Sequence, residues 1–457
     1  MKKSYLIIIA PLIGIFLYSL LLSLGLPSSA AITASFTLWI GLWWIFEPIP
    51  IPITSILPFV LFPAAEILSH KEVAQAYGHW LILLLMGGFI LSTGMEHSGV
   101  HRRIAIRLIE KIGASSPRRL LLGIMLGSAM LSAWISNTAT TLMLLPVVLA
   151  ISMEFKDPRI VSSLLLGLAY SASIGGLATP IGTPPNIILI GAYQEMFQRS
   201  ISFVEWMIFA VPIALFLLLA CYAFLSLSLS SNKITSVQLP KLPPISSPEK
   251  RFLLVFTGTA IAWITRAQPY GGWTGLFEIT TIGDDTIALA SVVLLFLIPN
   301  GQGEKLLNWD AAKQIPWGLL LLFGGGIAIA KAFGASGLSK IIGEYLTQLT
   351  SFPIFWMIFL ICLAVTFLTE ITSNTATTTL LMPILGATAQ ATQTDPLLLM
   401  IPAALSASCA FMLPVATAPN AIVFGAEKFS IQTMVQKGLI LNWIGVIIIS
   451  LGCFFLI

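Results

Sequence analysis

The sequence predicts an all-α polytopic membrane protein assembled from an inverted repeat. Three observations predict it. Of 457 residues, 57% are hydrophobic and only 9% are charged, against about 25% charged in a soluble domain. Stretches long enough to span a bilayer, about 20 apolar residues each, recur along the whole chain. One polar string is also written twice: Ser136-Asn137-Thr138-Ala139-Thr140-Thr141 returns as Ser373-Asn374-Thr375-Ala376-Thr377-Thr378, 237 positions later.

The apolar run 5–26 follows Met1-Lys2-Lys3 and imitates a signal peptide, with Ser28-Ser29-Ala30-Ala31 resembling a cleavage site. It is longer than the ~7–15 residues of a signal core, so residues 1–26 read as an uncleaved first helix. Apolar segments follow at 31–46, 50–67 and 80–98, then 117–151, 160–195 and 203–230. They resume at 251–267, 284–299 and 316–333, then 352–390, 396–426 and 433–457. Two of these, 117–151 and 352–390, are too long for one helix and carry Ser-Asn-Thr in the middle. Each reads as a re-entrant hairpin, whose irregular tip is tolerated only inside protein or beside a cavity. The Ser/Pro-rich stretch 230–250 reads as a cytoplasmic linker. Repeat 1 then occupies 30–229, with scaffold helices to about 112, and repeat 2 occupies 251–457, with scaffold helices to about 347.

Charge placement sets the orientation. With a cytoplasmic N-terminus and neither hairpin crossing, eleven transmembrane helices put the C-terminus outside. Inside fall Lys2, Lys3, Arg102, Arg103, Arg107, Lys111, Arg118, Arg119, Lys156, Arg159, Lys233, Lys241, Lys250, Arg251, Lys305, Lys313, Lys428 and Lys437. Outside remain Lys71, Arg199, Arg266, Lys331 and Lys340. Eighteen against five obeys the positive-inside rule.

The duplication extends beyond the polar string. Trp80-Leu81-Ile82-Leu83-Leu84-Leu85-Met86-Gly87-Gly88 aligns with Trp317-Gly318-Leu319-Leu320-Leu321-Leu322-Phe323-Gly324-Gly325. The stretch from Ala172 through Thr179-Pro180-Ile181-Gly182-Thr183-Pro184-Pro185-Asn186 matches Ala407 through Leu413-Pro414-Val415-Ala416-Thr417-Ala418-Pro419-Asn420, offset by 234 at the closing Asn. An odd number of crossings between the copies makes the repeat inverted. Such repeats are a transporter signature, with the binding site at their interface.

The Pro-Asn elements cannot continue a helix, because proline lacks an amide donor and clashes with the preceding turn. The breaks free backbone groups at membrane depth. Carbonyl oxygens suit Na⁺, half-helix N-termini suit an anion, and Ser, Thr and Asn side chains can complete both shells. Lys and Arg are absent from all four motifs. A permanent buried cation would hold a dianion tightly; co-bound Na⁺ supplies positive charge that leaves with the cargo. A dianion entering against ~100 mV faces roughly 4–5 kcal/mol, which two Na⁺ cancel.

Glu370, just ahead of the second string, is the notable acid at depth; its counterpart is Ala133. It reads either as a functional carboxylate or as a one-sided structural hydrogen-bonding group. The basic stretch Val100–Ile112 reads as an interfacial helix, with 337–347 as its mate. Gly324-Gly325-Gly326 lacks the Lys-Ser/Thr of a phosphate loop and suits close helix packing. Cys221, Cys362, Cys409 and Cys453 read as packed free thiols, and His70, His79, His97 and His101 carry no metal signature. With no ionisable pair or metal cluster at depth, a membrane-embedded enzyme is disfavoured, as is an anion channel.

The paired Ser-Asn-Thr strings with Gly182-Thr183-Pro184-Pro185-Asn186 and Leu413-Pro414-Val415-Ala416-Thr417-Ala418-Pro419-Asn420 resemble the divalent anion–sodium symporter family, over nearly the whole chain. The resemblance implies a bacterial inner-membrane homodimer in contact with lipid, in which a transport domain moves as an elevator against a scaffold. It implies uptake of a divalent anion coupled to Na⁺, first a C4-dicarboxylate such as succinate, malate or fumarate. Sulfate or citrate symport, or dicarboxylate exchange, are the alternatives. By position, the first Na⁺ site takes Ser132, Ser136, Asn137 and the Gly182 backbone, and the second takes Thr369, Thr372, Asn374 and the Ala416 backbone. Substrate carboxylates would meet Asn137, Thr138, Asn374, Thr375 and Thr417. Ser132 precedes Ser136 by four residues, which on a continuous helix puts both hydroxyls on one face; Thr369 repeats that offset from Ser373. Relatives usually carry proline where this chain has Ala418.

Overall fold

The computed structural model describes residues 3–113, 115–229, 242–266, 271–279, 281–346 and 353–457. Most of the expected linker, 230–241, lies outside the described residues, as do the end of the 337–347 stretch and residue 352 of the second long segment. Among the described residues, helices are the regular elements, beside one isolated bridge between Pro299 and Lys305. Among the described residues seven helical stretches are long and apolar enough to cross a membrane, and the chain is a multi-pass membrane protein.

The first half opens with α1 (Lys3–Ser23) packed on α2 (Ser28–Phe46), where Trp43 Nε1 donates to the Leu6 carbonyl at 3.1 Å. Residues 50–67 form two short helices, α3 (Ile51–Thr54) and α4 (Leu57–Ala64), because Pro50, Pro52, Pro58 and Pro63 each remove an amide donor. After α5 (His70–Tyr77), started by a Ser69–Glu72 capping box, α6 (Trp80–Ser98) runs to Gly99. Gly99, at φ +78°, turns the chain into the basic helix α7 (Val100–Ile112). Then come α8 (Pro117–Ser132), α9 (Asn137–Ser152), α10 (Pro158–Gly176), α11 (Pro184–Phe197) and α12 (Phe203–Ser226).

The second half contains α13 (Ser247–Ile264), the short α14 (Gly272–Leu276), α15 (Asp284–Leu297), the short α16 (Trp309–Ala312), α17 (Trp317–Ala335) and α18 (Leu338–Leu346). It closes with α19 (Ile354–Leu368), α20 (Asn374–Thr392), α21 (Leu397–Ala407), α22 (Ala418–Phe424) and α23 (Ile431–Leu456). Pro146 inside α9 and Pro383 inside α20 occupy matched positions.

Lipid tails are as apolar as Leu, so close approach and polar links, rather than the hydrophobic effect, hold such helices together. Gly175 lies against the Ala129 backbone, leaving no room for a side chain between α10 and α8, and Ser128 Oγ donates to the Leu168 carbonyl at 3.0 Å. The packing itself repeats. Helix α10 contacts α8, α9 and α12 as α21 contacts α19, α20 and α23. The short half-helices cross over: α22 packs on α9 and α10, while α11 packs on α20 and α21. Each half of the chain thus completes the other.

Candidate functional site

Both Ser-Asn-Thr strings fall where one helix ends and the next begins. Helix α8 stops at Ser132, and Ser136 takes an extended backbone (φ −59°, ψ 143°) as N-cap of α9, its hydroxyl accepting from the Ala139 amide at 3.1 Å. Helix α19 stops at Leu368, and Ser373 occupies the same position ahead of α20. The continuous helix assumed for the four-residue offset is therefore absent, and the same-face expectation for Ser132 with Ser136 is corrected. The hydroxyls turn to the Asn one position on. Ser132 Oγ donates to Asn137 Oδ1 at 2.6 Å, and Thr369 Oγ1 donates to Asn374 Oδ1 at the same 2.6 Å.

The Pro-Asn breaks lie beside these pairs. Between α10 and α11, Asn186 Nδ2 donates to the Gly176, Leu177 and Thr179 carbonyls, at 3.0, 3.4 and 2.8 Å. Between α21 and α22, Asn420 Nδ2 donates to the Ala410 and Leu413 carbonyls at 3.0 and 3.1 Å. Each asparagine thereby splints its own irregular loop with hydrogen bonds the helix cannot supply. The loops are also tied to the strings. Thr179 donates to the Ala133 carbonyl in the first half. In the second half Glu370, at Ala133's counterpart position, accepts from the Phe411, Met412 and Leu413 amides at 2.8, 2.9 and 2.9 Å and from Asn442 Nδ2 at 2.8 Å. Glu370 is 2% exposed. Of its two sequence readings, the hydrogen-bonding one describes its contacts.

A cavity of about 470 Å³ opens between the strings. Ser136, Asn137, Thr138, Gly182, Thr372, Asn374, Thr375, Ala416 and Thr417 all line it; Ser132 and Thr369 stand fully buried behind their asparagines. Asn137 Oδ1 and the Gly182 carbonyl lie 2.6 and 3.1 Å from where a Cβ on Gly176 would stand. Hydroxyl, amide and carbonyl oxygens therefore converge there, a donor set that suits a hard alkali cation. Thr372 Oγ1 donates to the Leu368 carbonyl at 2.8 Å and lies 2.7 Å from Thr377 Oγ1. Thr417 caps α22, accepting from the Asn420 amide at 3.2 Å, with its hydroxyl proton still available. The first residues of α9 and α20 line the cavity, and the amides of those helix ends favour negative charge there.

Three features were missed in the sequence reading. Trp134, in the α8–α9 turn, stacks on Phe203 (5.9 Å) and Trp263 (6.4 Å) and meets Phe256 edge-on (5.2 Å). Ile45, Glu47, Phe89, Pro316 and Leu319, outside both strings, close the far wall. Glu47 sits within Glu47-Pro48-Ile49-Pro50-Ile51-Pro52, an acid in a proline-rich interruption of apolar sequence that could have flagged it. A second cavity, of about 540 Å³, shares Phe89, Ser136, Thr138 and Pro316 with the first and extends to Glu96, His101 and Gln314.

The profile of the citrate transporter family matches residues 42–404. The sodium-dependent dicarboxylate transporter SdcS of Staphylococcus saprophyticus is 40% identical over 99% of this chain and 91% of its own length. The chain belongs to the divalent anion–sodium symporter family. Its relatives in that family include SdcS of Staphylococcus aureus strain MRSA252, 40% identical over 94% of this chain and 86% of its own length. The family fold is also similar to two solved transporters at 12% identity, each with a TM-score of 0.60. These are YdaH of Alcanivorax borkumensis, over 83% of this chain and 86% of that one, and MtrF of Neisseria gonorrhoeae, over 84% and 83%.

Proposed function

We propose that this symporter couples inward Na⁺ movement to uptake of a C4-dicarboxylate such as succinate, malate or fumarate. The observation that carries the reading is the matched pair of hydroxyl–asparagine contacts, both 2.6 Å, at one cavity whose lining contains no Lys or Arg. One Na⁺ would sit among Ser132, Ser136, Asn137 and the Gly182 backbone, the other among Thr369, Thr372, Asn374 and the Ala416 backbone. A dianion between them would accept from Asn137, Thr138, Asn374, Thr375 and Thr417. The relatives named as sodium-dependent dicarboxylate transporters support the coupling ion and the substrate class.

The sites cooperate through charge. Neutral oxygens alone leave a dianion uncompensated in low dielectric; two Na⁺ beside it remove most of that penalty. Each ligand therefore raises the other's affinity, and linkage makes the coupling reciprocal. We read the long segments as re-entrant hairpins within eleven transmembrane helices, the N-terminus cytoplasmic and the C-terminus outside. The moving part would be an elevator domain within a homodimer. The second cavity's continuity with the first supports a state open towards the side bearing His101 and Gln314, assigned to the cytoplasm by positive-inside counting.

Purified protein in liposomes should accumulate labelled succinate with an inward Na⁺ gradient and not in choline; equal uptake in both refutes the coupling. A citrate symporter is the second reading, favoured by the family profile's description. Competition of labelled succinate by citrate and sulfate separates the two.

A further inference from the structure

The geometry points to Glu47 as a fixed repulsive charge that biases the site towards anions carrying fewer negative charges. Glu47 is the one charged residue lining the cavity formed by the two strings, and it is exposed. Among the described residues it takes no ion pair and no side-chain hydrogen bond. The neighbouring cavity adds a second acid, Glu96, together with His101, and neither cavity is lined by Lys or Arg. Among the lining residues of either cavity, no Lys or Arg offsets that charge.

The backbone reinforces the point. Glu47 ends α2 in the left-handed region (φ 49°, ψ 53°) and directly precedes Pro48. A residue before proline is pushed towards extended conformations, and a non-glycine residue at positive φ is itself uncommon. Glu47 lines the same cavity as Ile45, Phe89 and Pro316.

The consequence is electrostatic and scales with the cargo. Two Na⁺ offset a dianion overall, and Glu47 adds a repulsion that every charge of the bound anion feels. A potential set by one fixed charge acts on each substrate charge alike, so its effect on affinity multiplies once per charge. A sphere of the cavity's volume is about 10 Å across, and one unit charge at that range through water alters affinity about twofold per substrate charge.

This inference rests on the proposed anion site, and its test separates the two. Purified protein in detergent with saturating NaCl at pH 8 binds labelled succinate, displaced by monomethyl succinate (one charge), succinate (two) or tricarballylate (three). In Glu47→Gln the three should tighten by about twofold, fourfold and eightfold. Gln takes the same left-handed backbone at Gln198 and Gln393, so the turn is retained; Glu47→Asn, whose residue favours that region, is the second neutral variant. Glu47→Asp should keep the wild-type charge dependence. Equal gains for all three anions, or none in a neutral variant that unfolds at the wild-type temperature, overturn the role of Glu47 alone. Succinate binding that survives Asn137→Ala overturns the site reading, and this inference with it.

Discussion

Asn442 Nδ2 donates to Glu370 Oε1 at 2.8 Å, joining the last helix to the acid that gathers three successive amides of the α21–α22 loop. The carboxylate does for the second half what a backbone carbonyl, that of Ala133, does for the first. The two halves thus solve one problem with different atoms.

Replacing Glu370 by Ala leaves the Met412 and Leu413 amides and Asn442 Nδ2 without that acceptor, while the Phe411 amide keeps Asn442 Oδ1 at 3.2 Å; each unmet donor costs about 1–3 kcal/mol. Glu370→Ala should therefore lose roughly 3 kcal/mol or more of stability, with little Na⁺-driven uptake. Glu370→Gln keeps one acceptor oxygen and should fall between. Thermal unfolding of the purified variants checks both, and an unchanged midpoint for Glu370→Ala refutes the pinning role.

The buried hydroxyls behind the asparagines should tune Na⁺ rather than the anion. A single hydrogen bond is worth about 0.5–1.5 kcal/mol. Ser132→Ala and Thr369→Ala should each raise the half-saturating Na⁺ concentration roughly three- to tenfold, with the maximal rate at saturating Na⁺ little changed. Thr369→Ser should restore the wild-type value. Na⁺ titration of succinate uptake measures it.

Gly176→Ala would put a methyl group 2.6 Å from Asn137 Oδ1 and 3.1 Å from the Gly182 carbonyl. Those are the oxygens assigned to the first cation. The variant should lose Na⁺-dependent uptake altogether, and retained coupling would displace the cation from that pocket.

Arg103 Nε meets Glu249 Oε1 at 2.6 Å, linking α7 to the first turn of α13, ahead of the apolar run that begins at Phe252. The guanidinium holds the carboxyl below its ordinary 4.5, at about 2. A group whose folded-state value is depressed contributes stability above the unfolded value and loses it as pH falls through the folded one. The stability gap between wild type and Glu249→Gln should be constant above about pH 5 and narrow from pH 4.5 towards 2. Unfolding midpoints across that range test it; a gap that widens with acid contradicts the sign.

Much of this was legible in the sequence, for reasons that differ by residue. Asn137 and Asn374 stood out because an amide duplicated in hydrocarbon needs partners, and both line the cavity. The basic helix over Val100–Ile112 followed from charge alternating with apolar residues, and its observed ends coincide. The relation of Ser132 to Ser136 misled, because a four-residue offset means one face only if the helix continues, and nothing local announces that it stops at Ser132. Glu47, Trp134 and Pro316 were missed for a further reason. Their roles come from what lies opposite them in space, at sequence separations no motif spans.

The crossover of the half-helices bears on how the protein comes into being. Helix α11 emerges from the ribosome well before α20 and α21, the elements it packs on, and α9 and α10 wait for α22. The nascent first half therefore enters the bilayer with polar loops whose final covering has not been synthesised. The Asn186 splint is local, within ten residues, and the Thr179–Ala133 link joins elements of the same half, so both can form before the second half is made and would shield those loops in the interval. Neither half translated alone would own a finished pocket, because each supplies the half-helix that packs on the other.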